Sequence, residues 1–212
     1  MNLYKKNLKK LTTANAYYSS LEHDACGVGL VVSTEGKKSR KVVEFGIEAL
    51  KAVWHRGAVD ADGKTGDGAG IHIEIPTNFF KEKIENYGRQ YRGGAICIGM
   101  IFLPRNDYSS QEKCKTLIET ELLSKNYYIY RWRQVPINTG VLGIKAESNR
   151  PEITQVIFKS NNKNLIGEEL ERDLFAIRKK IEKQSNVLQL KDFYICSFSS
   201  RSIIYKGMFL AE

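Results

Sequence analysis

Residues 95–103, AICIGMIFL, run without a charged, amide or hydroxyl side chain. The run is far too short to cross a bilayer, which takes about 18–20 apolar residues, and nothing else in the chain approaches that length. It reads as a β-strand covered on both faces, and such a strand constrains the fold more than any other segment. IHIEI at 71–75 alternates like a half-buried strand. CGVGLVV at 26–32 reads as a further buried strand, followed by a polar connection from Ser33 to Arg40 around Gly36. YYIYRWR, TQVIF, FYICSF (193–198) and SIIYK (202–206) are the remaining strand candidates, the last two joined by a short turn, with Pro136 and GVLG marking turns between others.

Three segments carry a helical period. Val43, Ile47, Leu50 and Trp54 share one face of a helix ending near His55 and Gly57. Cys114, Leu117, Ile118 and Leu122 do so over 110–123, and Ile166, Leu170, Leu174, Ile177 and Ile181 over 164–184. In the last, Glu168, Glu169, Glu171 and Asp173 come early and Arg178 to Lys180 late, in the sense that the helix dipole favours. Strands and helices are segregated more than they alternate, so the expected class is α+β. With 212 residues and 42% apolar content the chain has enough material for a packed core.

The formal charge is +9, from 33 basic against 24 acidic side chains. No nucleic-acid-binding pattern accompanies it, so the basic balance reads as solvated surface, with no nucleic-acid and no membrane partner expected. Lys5, Lys6, Lys9 and Lys10 sit in a stretch with neither the apolar run of a signal peptide nor the arginines of a transit peptide, which reads as a flexible leader. Cys26, Cys97, Cys114 and Cys196 form no CxxC pair, so neither a disulfide framework nor a zinc site is indicated, and a reducing cytoplasm fits best.

HRGAVDADGKTGDGAG (55–70) is too rich in glycine, interleaved with Asp60, Asp62 and Asp67, to be a regular element. It lacks the lysine of a phosphate-cradling loop, the GxGxxG spacing and the calcium-loop register. Histidine is confined to His23, His55 and His72. A Cys-His pair of the papain kind would lack that family's signature around the thiol, and the other reading of His55 is a helix C-terminal residue satisfying carbonyls. The thiol of Cys26 needs no histidine if the bond between Ala25 and Cys26 is cut. Cys26 then owns both a thiol and an α-amine, whose reference pKa values lie within about one unit of each other. One residue then supplies nucleophile and base. Cys97, Cys114 and Cys196 read as core or neutral filling.

EHDACGVGLV and HRGAVDADGKTGDGAGI, then VPIN, LGIKAES, RDLFAIRKKIE and SSRSIIYKGM, resemble the class II glutamine amidotransferase domain of the N-terminal-nucleophile type with which glutamate synthases begin. The likeness covers nearly all of residues 18–208. It implies an αββα sandwich of two antiparallel sheets between helix layers, incomplete at the C-terminus. It also implies a leader over residues 1–25 removed autocatalytically between Ala25 and Cys26, with residues 26–212 as the amidotransferase segment. Cys26 becomes the nucleophile and Arg56 the residue holding the glutamine α-carboxylate, where the alternative for Arg56 is a surface ion pair. Gly57 and the 65–70 loop would shape the pocket wall, with Asp67 either touching substrate or capping the loop. Tyr205, Lys206 and Gly207 match the family without an assignable chemical role.

The resemblance further implies L-glutamine as substrate, ammonia passed to 2-oxoglutarate, and synthase domains downstream carrying FMN and an iron–sulfur cluster, served by a reductase subunit or ferredoxin. No cofactor is implied for residues 1–212 themselves. The family's Asn-Gly oxyanion pair finds no counterpart here, since the chain has no Asn-Gly dipeptide. Loss of one such donor costs about 3–4 kcal/mol of transition-state stabilisation, so the 212 residues alone are expected to be a weak catalyst that a longer polypeptide or second chain completes. The rival reading is a truncated, non-catalytic interaction module.

Overall fold

The computed structural model describes residues 3–13, 27–53 and 58–210. Helices α1 (Leu3–Thr13), α2 (Arg40–Ala52), α3 (Thr77–Glu85), α4 (Tyr108–Ser124), α5 (Ile144–Asn149) and α6 (Gly167–Val187) accompany strands β1 (Ala69–Glu74), β2 (Cys97–Leu103), β3 (Tyr127–Gln134), β4 (Glu152–Ser160), β5 (Tyr194–Ser199) and β6 (Ser202–Gly207). The strands form two antiparallel sheets, one of four strands in the order β3-β4-β2-β5 and one of two, β1-β6. The α+β class expected from the segregation of elements is therefore what the chain adopts.

The apolar run sits at the centre. Strand β2 pairs with β4 on one side and β5 on the other, and all its residues but Phe102 are buried. Because successive strand side chains point to opposite faces, one strand feeds two cores. Cys97, Ile101 and Leu103 join Val156, Phe158 and Ile195 against Cys114, Ile118 and Leu122 of α4 and Leu170, Leu174, Ile177 and Ile181 of α6. Ile98 and Met100 join Tyr130, Ile157 and Cys196 against Phe80 and Ile84 of α3, with Ile75 and Ile203 from the ends of the smaller sheet. Gly99 allows the close packing at this crossing: a Cβ there would lie 2.7 Å from Val156 Cγ1 and 2.8 Å from the Phe198 ring.

The chain passes from the larger sheet to the smaller between β5 and β6, so these neighbours in sequence do not form a hairpin. Glu171 of α6 holds the crossing: its Oε2 accepts Ser199 Oγ at 2.8 Å, and its Oε1 accepts Ser200 N at 2.8 Å and Ser200 Oγ at 2.6 Å. Glu171→Ala strands these donors, and we expect a loss of about 1–3 kcal/mol, read as a lower urea midpoint with unchanged slope.

Several elements depart from expectation. Residues 27–32 form no strand: Val28 and Leu30 are 90% and 87% exposed, and no ladder partner lies beside them among the described residues. Apolar composition alone does not make a strand where no neighbour supplies hydrogen bonds. The stretch read as a flexible leader contains α1, whose leucines and lysines are good helix formers uninterrupted by glycine or proline. Helix α2 stops at Ala52, before the expected end, and its apolar side is only partly covered. Helix α6 starts later than its periodicity implied, and Ile166 becomes its N-cap, mostly exposed rather than part of the buried face. Helices α3 and α5 fall in segments that gave no helical signal.

Candidate active site

The glycine- and aspartate-rich segment folds into a small, heavily bonded hairpin. Val59 and Gly66 form an isolated antiparallel bridge, Asp60 N donates to Thr65 O at 2.8 Å, and Gly63 N donates to Asp60 O at 2.9 Å. Gly63 takes the turn at φ +66, where glycine carries no Cβ penalty. Each aspartate is committed to the loop. Asp62 Oδ1 accepts Lys64 N at 3.0 Å and Thr65 N at 2.7 Å, while its Oδ2 accepts Thr65 Oγ1 at 2.6 Å. Asp67 Oδ2 accepts Ala58 N at 3.0 Å, and Asp67 N returns a bond to Ala58 O at 3.2 Å. Asp60 receives Ala61 N at 2.7 Å and the Lys145 ammonium at 2.5 Å.

Helix α5 is the clamp on this hairpin. Ala146 N donates to Thr65 Oγ1 at 3.3 Å, and Thr65 is only 2% exposed. Gly143, the N-cap, lies so close that a Cβ there would overlap Asp62 Oδ2 and Thr65 Oγ1. Glu147 anchors α5 in turn, accepting Arg105 Nη2 at 2.7 Å and Arg150 Nε at 2.9 Å. A cleft of about 300 Å³ opens here, lined by residues 58–60 and 65–67 with Lys145 and Met208. Behind it, Gly66 backs onto the carbonyl of Phe209, and Gly70 onto that of Tyr205 in β6.

The clamp has an acid limit. Hydrogen bonds from Thr65 hold the Asp62 carboxyl well below the ordinary carboxylate range, and the Lys145 ammonium lowers that of Asp60 and is itself raised. Arg150 and Arg105 lower Glu147. Carboxyls depressed by folding contribute stability that is full above the unfolded aspartate value near pH 4 and is lost as pH falls through their lower folded values. We expect the Lys64 and Thr65 amide resonances to stay native-like at pH 4 and to move together only at lower pH; a midpoint at the ordinary aspartate value contradicts the assignment.

Of the catalytic, cleavage and substrate-binding candidates from sequence, Asp67 and the rest of the 65–70 loop lie among the described residues; Ala25, Cys26, Arg56 and Gly57 fall outside them. Asp67 borders the cleft and caps the loop through Ala58. Gly27 directly follows Cys26, and Ala58 directly follows Gly57 at the cleft's edge. Lys145 and Gly143 went unassigned in the sequence. Their signal was LGIKAES, where a glycine precedes a short helix, but its meaning depends on a loop some eighty residues upstream.

The remaining thiols are placed where they cannot act as nucleophiles. Cys97 and Cys114 lie in the core beneath α4 and α6, Cys196 in the other, and burial raises all three, Cys114 to about 11. Dispersed and buried in this way they do not fit a cluster-ligating set, and among the described residues no group of three or more His, Cys, Asp or Glu is placed to hold a metal. Among the described residues no helix is long and apolar enough to cross a membrane.

A two-sheet α+β fold carrying this glycine-rich hairpin, and a match of residues 26–212 to the family described as glutamine amidotransferases class-II, place the chain in that family. More particularly, it corresponds in part to the amidotransferase domain of glutamate synthase large chains. It is 56% identical over 209 residues to the glutamate synthase (NADPH) large chain of Azospirillum brasilense, covering 99% of this chain and 14% of that relative. It is 40% identical to the ferredoxin-dependent glutamate synthase of Pyropia yezoensis, covering 94% of this chain and 13% of the relative. The NADPH large chain of Bacillus subtilis is 33% identical, with 92% and 13% covered. The chain thus spans about a seventh of the length of these relatives.

Proposed function

We propose that this chain supplies the glutamine-cleaving nucleophile of a glutamate synthase and that Cys26 is that nucleophile. The observation that carries the reading is that the class II match begins at Cys26 itself. Removal of residues 1–25 frees the Cys26 α-amine, which takes the thiol proton as sulfur bonds to the glutamine side-chain carbonyl carbon. The tetrahedral oxyanion collapses, the C–N bond breaks, and the amine's proton leaves with nitrogen as ammonia. Water then adds to the thioester, the C–S bond breaks, and glutamate departs with the thiol restored.

Arg56 holds the substrate α-carboxylate through its planar fork, and Gly57 with the 65–70 loop walls the pocket. Asp67 lines that wall while its Oδ2 keeps the Ala58 amide in place. The two antiparallel sheets belong, in this reading, to an αββα sandwich that further polypeptide completes, together with the oxyanion donors. Downstream domains bearing FMN and an iron–sulfur cluster would use the ammonia to aminate 2-oxoglutarate, with electrons from a reductase subunit or ferredoxin in a cytoplasmic setting.

The test is chemical. Intact-mass analysis of the processed protein should place Cys26 at the N-terminus, and a diazoketone analogue of glutamine should alkylate that residue alone. Catalytic protein that retains Met1, or a label on Cys97, Cys114 or Cys196, overturns the reading.

A further inference from the structure

Arginine is distributed unevenly over this molecule. Arg40, Arg105, Arg150, Arg178 and Arg201 each pair with a glutamate. On the face made by α3, the 86–94 loop and the edge strand β3, Arg89, Arg92, Arg131 and Arg133 form no ion pair with a carboxylate among the described residues. They are held by neutral groups instead. Arg92 Cζ lies 4.1 Å from the centre of the Tyr128 ring, and Arg89 Nη1 donates to the hydroxyl of the same tyrosine at 3.1 Å. Arg131 stacks 3.5 Å from the centre of Tyr87 and donates to Lys83 O at 3.3 Å. Arg133 lies over Phe79 and donates to Gln155 Oε1 at 2.8 Å, and Lys81 lies over Tyr91.

The backbone under these cations is fixed from below. Tyr130 Oη accepts Arg92 N at 3.1 Å, and the buried Lys159 ammonium donates to Arg92 O at 3.3 Å and Gly93 O at 3.1 Å. A β-bulge between Ile129 and Arg131 lets two β3 residues oppose one of β4, which resets the alternation of side chains. Trp132 turns to Glu119 of α4, while Arg131 and Arg133 reach α3 alongside Tyr128 and Tyr130. Without that extra residue, both guanidiniums would point toward α4 and α6. Sequence and backbone together gather four guanidiniums on one face, none ion-paired to a carboxylate among the described residues.

We propose that this face docks an acidic polypeptide surface. Arg92 and Arg131, backed by the Tyr128 and Tyr87 rings, lose little further freedom on binding, and the planar fork of each suits a carboxylate. Arg92 and Arg131 already occupy one face of the Tyr128 and Tyr87 rings, where a nucleobase in single-strand binding would stack. Glu82 and Glu85, exposed on α3, also interrupt the basic field. A phosphate backbone, whose affinity rests on an unbroken positive field, gains less from such a face than carboxylates gripped by individual guanidiniums.

Fluorescein-labelled poly-L-glutamate and a fluorescein-labelled oligothymidylate are titrated against the polypeptide that carries this domain at about 50 and about 300 mM salt. We expect poly-L-glutamate to bind more tightly than the oligonucleotide and to weaken with salt. R89Q/R92Q should weaken it at least about tenfold, while K183Q/K191Q, an equal charge loss on the α6 side, should change it less than about twofold. K81Q, on an exposed side chain, tests the same face with little folding risk and should weaken binding measurably. Equal losses in the two double variants, tighter oligonucleotide binding, or no binding of poly-L-glutamate at low salt each overturn the proposal.

Discussion

Cys26→Ala in the polypeptide that carries this domain is expected to stop ammonia release from glutamine altogether and to leave residues 1–25 attached. In the proposed mechanism Cys26 supplies the nucleophile through its thiol and the base through its α-amine, so nothing else in the site substitutes for it, and removal of a nucleophile of this kind costs about 10³-fold or more in kcat. The loss should fall on kcat with the glutamine dissociation constant little changed, because binding rests on other groups. The unfolding midpoint should also stay in place. Alanine at Cys97, Cys114 or Cys196 should do the reverse, lowering stability through lost packing while the chemistry persists, since these thiols are buried and their ionisation is opposed by desolvation. Glutamine hydrolysis that survives Cys26→Ala removes the proposed mechanism at its root.

The parts of this molecule that were legible in sequence are those governed by local periodicity and burial on both sides. AICIGMIFL announces β2 because a strand between two packed layers has no solvent-facing position to spend on a polar residue. Leu170, Leu174, Ile177 and Ile181 announce the buried face of α6 for the same reason in a different period. CGVGLV misleads because its apolar residues meet no ladder among the described residues, and pairing is a tertiary property. The β-bulge at Tyr130, which decides where Arg131 and Arg133 point, leaves no mark in composition.

The loop was legible in kind but not in construction. The glycine and aspartate run is visibly a loop, while the roles proposed for Cys26 and Arg56 rest on the chemistry of a freed α-amine and on the family resemblance, at positions outside the described residues. What holds the loop is contributed by Lys145 and Ala146, whose link to Asp60 and Thr65 spans more than eighty residues of sequence. Such a contact becomes visible only when β2, α4, β3 and the chain following it have brought α5 back to the hairpin.

That construction gives the second large effect. Gly143→Ala should cost about 1–3 kcal/mol of stability, the usual range for overpacking, but about a hundredfold in kcat/KM for glutamine, because displacement of a pocket wall by an ångström has that scale of consequence. The backbone is not the reason: Gly143 has φ −72 and ψ 162, which alanine adopts freely. The reason is space, since the added Cβ would overlap Asp62 Oδ2 and Thr65 Oγ1 and lie 2.6 Å from Thr65 N. Backbone nitrogen cannot swing aside like a side-chain tip, so either α5 or the hairpin must withdraw, and the Ala146 to Thr65 bond and the Lys145 to Asp60 pair are strained together. Lys145→Met breaks the second of these without steric intrusion and should have the smaller effect, because the Thr65 and Asp62 contacts survive. Chemical shifts of the Thr65 and Lys64 amides report the wall directly, independent of catalysis. Should Gly143→Ala leave both amides and kcat/KM unchanged, α5 is not the clamp on the cleft.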